Sequence, residues 1–273
     1  MNTKVWTGLR STFLVLIAVL WLVPVWLMLV NAITPSAQYS GTPTWWPGDL
    51  GLLTNLTEAW QTGQMGPGFL NSLYYSSICA AVAVLLAALA GFGTVVLKVR
   101  HTALWFWLIY CGTLVPLQIF LAPMFTAAAR TDLYDTRLGL MIVYVAIAIP
   151  FAYFLMRNFI TTLPREVFEA SAIDGAGPLM TFLRICLPMC RPAMFAAFIF
   201  QFTWAWNDLL FGMTLTASPQ VRPIMASLIN LNGNYSAVGP PTVLAGALIA
   251  SVPTVAIFFV FQRFFVSSLT LSK

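Results

Sequence analysis

The strongest constraint on this chain is a series of apolar runs, each about 20 residues long, separated by polar or Gly- and Pro-rich stretches. Wound as a helix, a run of that length crosses a hydrocarbon core of about 30 Å. Lipid supplies no hydrogen-bond partners, so the backbone must satisfy its own N–H and C=O groups, and helices are the expected solution. Six spans are expected, over about 12–32, 70–97, 103–129, 138–160, 193–215 and 242–265. The 273 residues are 60% hydrophobic and 8% charged, with a mean hydropathy of +0.86, which no ordinary soluble domain matches. The fold class is therefore all-α, a polytopic integral membrane protein. Residues 1–273 are expected to form one membrane domain without a soluble module.

The first run follows Lys4 and Arg10 and is longer than the apolar part of a signal peptide, so it reads as an uncleaved span, kinked at Pro24. Pro116 and Pro123 interrupt the third run, and Pro150 lies inside the fourth. Trp45-Trp46-Pro47, in the first connector, suits a membrane–water interface. In the second run, Ala87, Ala88, Ala90, Gly91 and Gly93 permit close helix contact.

The net charge of +5 has a topological meaning and is not a nucleic-acid signal. If the N-terminus is cytoplasmic, the inner side receives Lys4, Arg10, Lys98, Arg100, Arg157, Arg165, Arg184, Arg191, Arg263 and Lys273. The outer side receives Arg130, Arg137 and Arg222. That asymmetry predicts cytoplasmic N- and C-termini under the positive-inside rule.

The residues needed for most enzymology are missing. There is no G-x4-G-K-[ST] loop for nucleotide and no H-E-x-x-H for zinc. The single histidine, His101, sits in a short basic turn. Cys79, Cys111, Cys186 and Cys190 are scattered, and Cys186-x3-Cys190 has no further ligand nearby, so no metal site is expected. The chain is therefore read as no enzyme, with no cofactor of its own. Uphill transport would need energy from another subunit or from an ion gradient.

Asp208 is the most informative residue within a span. A carboxylate there costs about 2.5–3.5 kcal/mol on insertion scales, so it should face the bundle interior, a water-filled cavity or the end of the helix. It either lines a solute pathway or, with Asn207, clasps neighbouring helices. Trp204 and Trp206 either stack on a solute or pack.

The stretch Pro164–Pro188 cannot sit in lipid. It holds three of the eight acidic residues, Glu166, Glu169 and Asp174. Pro164 suits a helix start, Glu166 favours its positive end, and Gly175 and Gly177 can end it in a left-handed turn. Pro178 can open a second helix. Phe168 and Ala172 fall on one face of the first, Arg165 and Glu169 on another. At about ten residues it is too short to span and should lie at the surface.

Here the chain resembles a known family. Glu169-Ala170, Gly175 and Ile185-x-Leu187-Pro188 match the E-A-A-x3-G-x9-I-x-L-P loop of bacterial ABC importer permeases, with Ser171 in place of the usual third-position Ala. The resemblance extends to Pro35-Ser36, Asn71-Ser72, the Ala205-Trp206-Asn207-Asp208 segment and Gln262-Arg263 to Leu269-Thr270, all similar to carbohydrate permeases of the maltose type. It implies that residues 164–188 form a coupling loop, with Glu169, Ala170, Ser171, Asp174, Gly175 and Ala176 docking on a cytoplasmic ATPase dimer that carries ATP and Mg. It also implies a second, related permease subunit, an extracytoplasmic solute-binding protein, a bacterial plasma (inner) membrane location and a sugar or sugar-like solute, with Trp204, Trp206, Asn207 and Asp208 as pathway residues. The alternative is a gradient-driven secondary transporter, a class that often shows internal repeats; none is visible here.

Overall fold

A computed structural model describes residues 3–231 and 238–270, with side chains over 6–231 and 238–261. The connector tip Gly233-Asn234-Tyr235 and the tail Leu271-Ser272-Lys273 lie outside the described residues. Within them no strand forms. In chain order the helices are α1 (Thr3–Ile33), α2 (Leu52–Thr62), α3 (Met65–Val95), α4 (Thr102–Cys111), α5 (Leu121–Arg130), α6 (Arg137–Thr161), α7 (Arg165–Ile173), α8 (Pro178–Met189), α9 (Arg191–Trp206), α10 (Leu210–Leu215), α11 (Ile224–Leu231) and α12 (Pro240–Thr270). Short 3₁₀ turns occupy Ser36–Gln38 and Leu117–Phe120.

Among the described residues, α1, α3, α6 and α12 are each long and apolar enough to cross a membrane. The pair α8 and α9 meets at a 75° bend and makes a fifth span if taken together. The expected third span is not one helix. It breaks at Gly112–Pro116 into α4 and α5, because Pro116 has no N–H to continue the ladder and its φ of −59° and ψ of 122° turn the chain out of the helix. The expected fifth span also differs. Its helix starts at Arg191 and stops at Trp206, with Asn207 to Leu209 separating it from α10. Pro24, Pro150 and Pro253 are all accommodated inside long helices.

The chain divides into two compact units, residues 1–66 with 227–255 and residues 67–226 with 256–273. In the first, α1 is lined with exposed apolar side chains from Trp6 to Leu29, as a lipid-facing helix requires. Its end is tied down by amides. Asn31 Nδ2 donates to the Leu27 and Thr44 carbonyls at 2.7 and 3.0 Å, and the Thr44 N–H returns to Asn31 Oδ1 at 2.9 Å. Asn55 is fully buried and donates to the Ala32 and Thr34 carbonyls at 2.8 and 2.9 Å. Trp26 Nε1 donates to the Trp45 carbonyl at 3.0 Å, and its ring meets Trp46 edge-on at 5.9 Å.

In the second unit, two buried clusters hold the helices. One joins α3, α6, α8 and α9 through Ala87, Ala88, Phe92, Met156, Cys186 and Ala197, among others. The small residues act as expected at Ala87, Ala88 and Gly91. A Cβ on Gly91 would stand 3.0 Å from Ile160 Cδ1, whereas one on Gly93 would meet open space. The other cluster joins Tyr75 and Cys79 of α3, Leu140 and Tyr144 of α6, Ala205 of α9, and Phe211 and Leu215 of α10. Between α6 and α9, Gln201 Nε2 donates to the Ala148 carbonyl at 3.0 Å.

Candidate functional site

Three features of the second unit carry polar chemistry. The first is the loop around α7. Pro164, at φ −60° and ψ 126°, caps the helix instead of occupying its first position. Asp174 ends it, and Gly175 adopts φ +77°, the left-handed conformation that favours glycine. Gly177 does not share that role: its φ is −68°, and it caps α8, where Pro178 takes the first turn. A nine-residue α7 is about 14 Å long.

One side of α7 is anchored. Phe168 packs towards Phe92 at 6.4 Å between ring centres. Ser171, not Ala172, is the buried neighbour of Phe168. Its hydroxyl lies 2.9 Å from that of Thr181, which fastens α7 to α8. The Ser where the motif usually has Ala is thus a partnered residue. Replacing Ser171 with Ala should cost about 1 kcal/mol and lower the melting temperature by about 3 °C in detergent, which a thermal-shift measurement would read. The other side is open. Glu166, Glu169, Ala170, Asp174 and Gly175 are exposed, Ala176 is half-buried, and Ile173 is 86% exposed. An acidic, apolar-tipped knob stands off a fixed base.

Behind the knob, α8 contains one π-helical turn, Phe182–Cys186, and then bends into α9. The Cys186 and Cys190 thiols lie 3.8 Å apart at that bend, fully buried in apolar surroundings. The π turn has no obvious signature in the sequence.

The second feature is a cleft of about 560 Å³ where α9 ends. Leu117, Gln118, Thr203, Trp204, Asn207 and Asp208 line it. Asp208 lines this cleft and also makes a clasp. Tyr144 donates its hydroxyl to Asp208 Oδ2 at 2.8 Å, and the Gly212 N–H donates to the same oxygen at 2.9 Å. The carboxylate thereby ties α6 to the link between α9 and α10 and accepts from an N–H in the first turn of α10. Asn207 is exposed and bonds back to the Thr203 carbonyl. Trp204 is half-buried, edge-on to Tyr144 at 5.6 Å. Trp206 does not reach the cleft. It is completely buried, stacked on Phe202 at 6.0 Å and edge-on to Phe69 at 5.2 Å.

The third feature, missed from sequence, is a polar strap. The segment 215–224 is held across the starts of α3 and α6. Asp135 Oδ1 accepts from the N–H groups of Ala217 and Ser218 at 2.8 and 2.9 Å and from the Ser218 hydroxyl at 3.2 Å. Partial burial alone would raise the Asp135 carboxyl, but these donors and the nearby Arg222 outweigh it and hold its pKa below the ordinary carboxylate value. Asn71 donates to the Pro219 and Arg222 carbonyls, Tyr75 to the Val221 carbonyl at 2.8 Å, and the Ile224 N–H to Ser72 Oγ at 2.8 Å. Arg137 completes the strap through Asn71 Oδ1 and the Gln220 carbonyl, both at 3.2 Å.

The chain can be set beside known proteins. A family model described as "Binding-protein-dependent transport system inner membrane component" matches residues 83–270. The osmoprotective compounds uptake permease protein GgtD of Synechocystis sp. is 31% identical over 275 residues, covering 97% of this chain and 91% of the relative. The diacetylchitobiose uptake system permease protein NgcG of Streptomyces coelicolor is 29% identical, covering 94% and 85%. A crystal structure of a bacterial ABC transporter involved in import of the acidic polysaccharide alginate has a chain with the same fold, at a TM-score of 0.80 over 96% of this chain and 97% of that one, with 18% identity. An exposed acidic loop at the motif, an all-helical apolar bundle and relatives matched almost end to end agree on one assignment: this chain belongs to the family of binding-protein-dependent transport system inner membrane components, the permease subunits of such systems.

Proposed function

We propose that the chain is one of two related permease subunits in an ATP-driven importer of a sugar or sugar-like solute. The family match supports the importer class over a gradient-driven secondary transporter. The solutes for which relatives are named support the solute class: diacetylchitobiose, trehalose and sn-glycerol 3-phosphate. An extracytoplasmic binding protein delivers solute, and an ATPase dimer carrying ATP and Mg drives import from the cytoplasmic side. The charge asymmetry of the connectors supports cytoplasmic termini and a cytoplasmic α7 loop.

The observation that carries the coupling role is the exposed face of Glu169, Asp174 and Gly175 on a helix anchored by Phe168 and Ser171. The knob docks into a cleft of the ATPase, with the acids pairing to basic groups and Gly175 allowing the tight turn. ATP-driven closure pushes α7, α8 passes the displacement through the bend into α9, and the cavity changes the side it opens to by rotation of packed helices. Asp208, Asn207 and Trp204 line this subunit's share of the pathway.

The test is reconstitution. Co-expressed with its partner permease, ATPase and binding protein, the chain should support solute accumulation in liposomes only with ATP and binding protein present. Accumulation by the chain alone, driven by an ion gradient, would overturn the proposal.

A further inference from the structure

We infer that the cleft at the end of α9 selects by charge: it admits neutral polyhydroxyl solutes and rejects anions. This rests on the importer reading above and narrows it, since the relatives include carriers of both neutral and anionic compounds by name. The cleft's charge comes from Asp208, and its other lining residues are uncharged. An adjoining cleft of about 350 Å³ shares Leu117, Phe200 and Trp204 and adds Thr113 and Gln201, again without a Lys, Arg or His. The Asp208 carboxylate accepts from the Tyr144 hydroxyl and from the Phe211 and Gly212 N–H groups. Such an arrangement suits an ionised carboxylate.

A phosphate or uronate entering this space would approach a fixed negative charge with no cation lining the wall. Like-charge approach to such a wall is unfavourable, and juxtaposed like charges work against the wrong partner. A neutral sugar fits the same wall. Hydroxyls can donate to Asp208 and bond to the amides of Gln118 and Asn207, while Trp204 offers an apolar ring. Asp208 is here a specificity-determining residue, distinct from the ATP-coupled machinery at α7.

The test uses charged thiol reagents on the assembled transporter in membrane vesicles. In a Cys111→Ser background, Asn207→Cys is labelled with a cationic and an anionic methanethiosulfonate of matched size, each rate divided by that for a free thiol. The cation should react about tenfold faster, because a cleft lined by one sign of charge concentrates its counter-ion by at least that factor. Adding Asp208→Asn, which keeps an acceptor for Tyr144, should bring the ratio near unity. Gln118→Cys gives an independent reading without altering Asp208. Maltose, trehalose and sucrose, offered in turn, should include at least one that slows labelling, and sn-glycerol 3-phosphate should not. Equal rates at both cysteines, a ratio that Asp208→Asn leaves unchanged, protection by glycerol phosphate, or protection by none of the three disaccharides would overturn the inference. If any of these occurs while ATP-driven, binding-protein-dependent uptake persists, the importer reading stands and only the charge selection falls.

Discussion

Gly175→Trp should abolish ATP-driven uptake while leaving the subunit inserted and folded. Gly175 sits at φ +77°, so any residue with a β-carbon is strained there by about 1–2 kcal/mol. Within this subunit the site is open, and a Cβ would meet nothing within 4 Å. The chain itself can therefore carry the larger side chain. The obstruction would arise against the docked partner, where the knob must seat. Uptake should drop by more than about tenfold, a factor equivalent to about 1.4 kcal/mol, because strain and obstruction act on the same docking step. Expression and oligomeric assembly should stay close to the parent, and the melting temperature should fall only by the few degrees that this strain costs. Gly175→Asn tolerates the left-handed conformation and should fall between the two. Full uptake by the Trp variant, with normal amounts in the membrane, would remove α7 from the coupling route.

Gly139→Ala should be among the most destabilising single changes in the chain. Gly139 lies in the first turn of α6, and its N–H donates to the capping Thr136 hydroxyl at 3.1 Å. The Leu133 carbonyl folds over it so closely that an added Cβ would stand 2.1 Å from that oxygen. The contact is with backbone, so no rotamer change can relieve it. Residues 133–135 would have to move, and with them Asp135, which holds the strap at Ala217 and Ser218. A loss of about 2–3 kcal/mol is expected from overpacking. The control is Gly93→Ala, where the added methyl meets open space on a helix and should gain up to about 1 kcal/mol in helix propensity. Thermal unfolding in detergent, followed by size-exclusion, compares the two. Equal melting temperatures would contradict the close approach at Leu133.

The apolar runs and the α7 loop were legible because their signals are local. Run length decides spanning, and Pro164, Gly175 and Pro178 each mark a boundary within a few residues of where it falls. The break of the third run was only half legible. Pro116 is visible in the sequence, but one proline can either sit inside a membrane helix, as Pro150 does in α6, or end it. Neighbouring packing decides which, and packing is not written in a single run. The role of Trp206 was hidden for the same reason: its partner Phe69 is remote in sequence. The strap could have been suspected only from Asn71-Ser72 at the mouth of α3. Two adjacent polar residues there need partners, and those lie about 150 positions away.

Under the coupling route proposed above, the bend between α8 and α9 would set the direction in which movement travels. The two helices meet at 75° beside a cluster of buried apolar residues. Protein interiors resist compression, so a shove delivered lengthwise to α8 cannot be absorbed at the corner. It would emerge at α9 mostly as a sideways swing. On that proposal the joint works as a bell crank, and the far tip of its long arm carries Asn207 and Asp208.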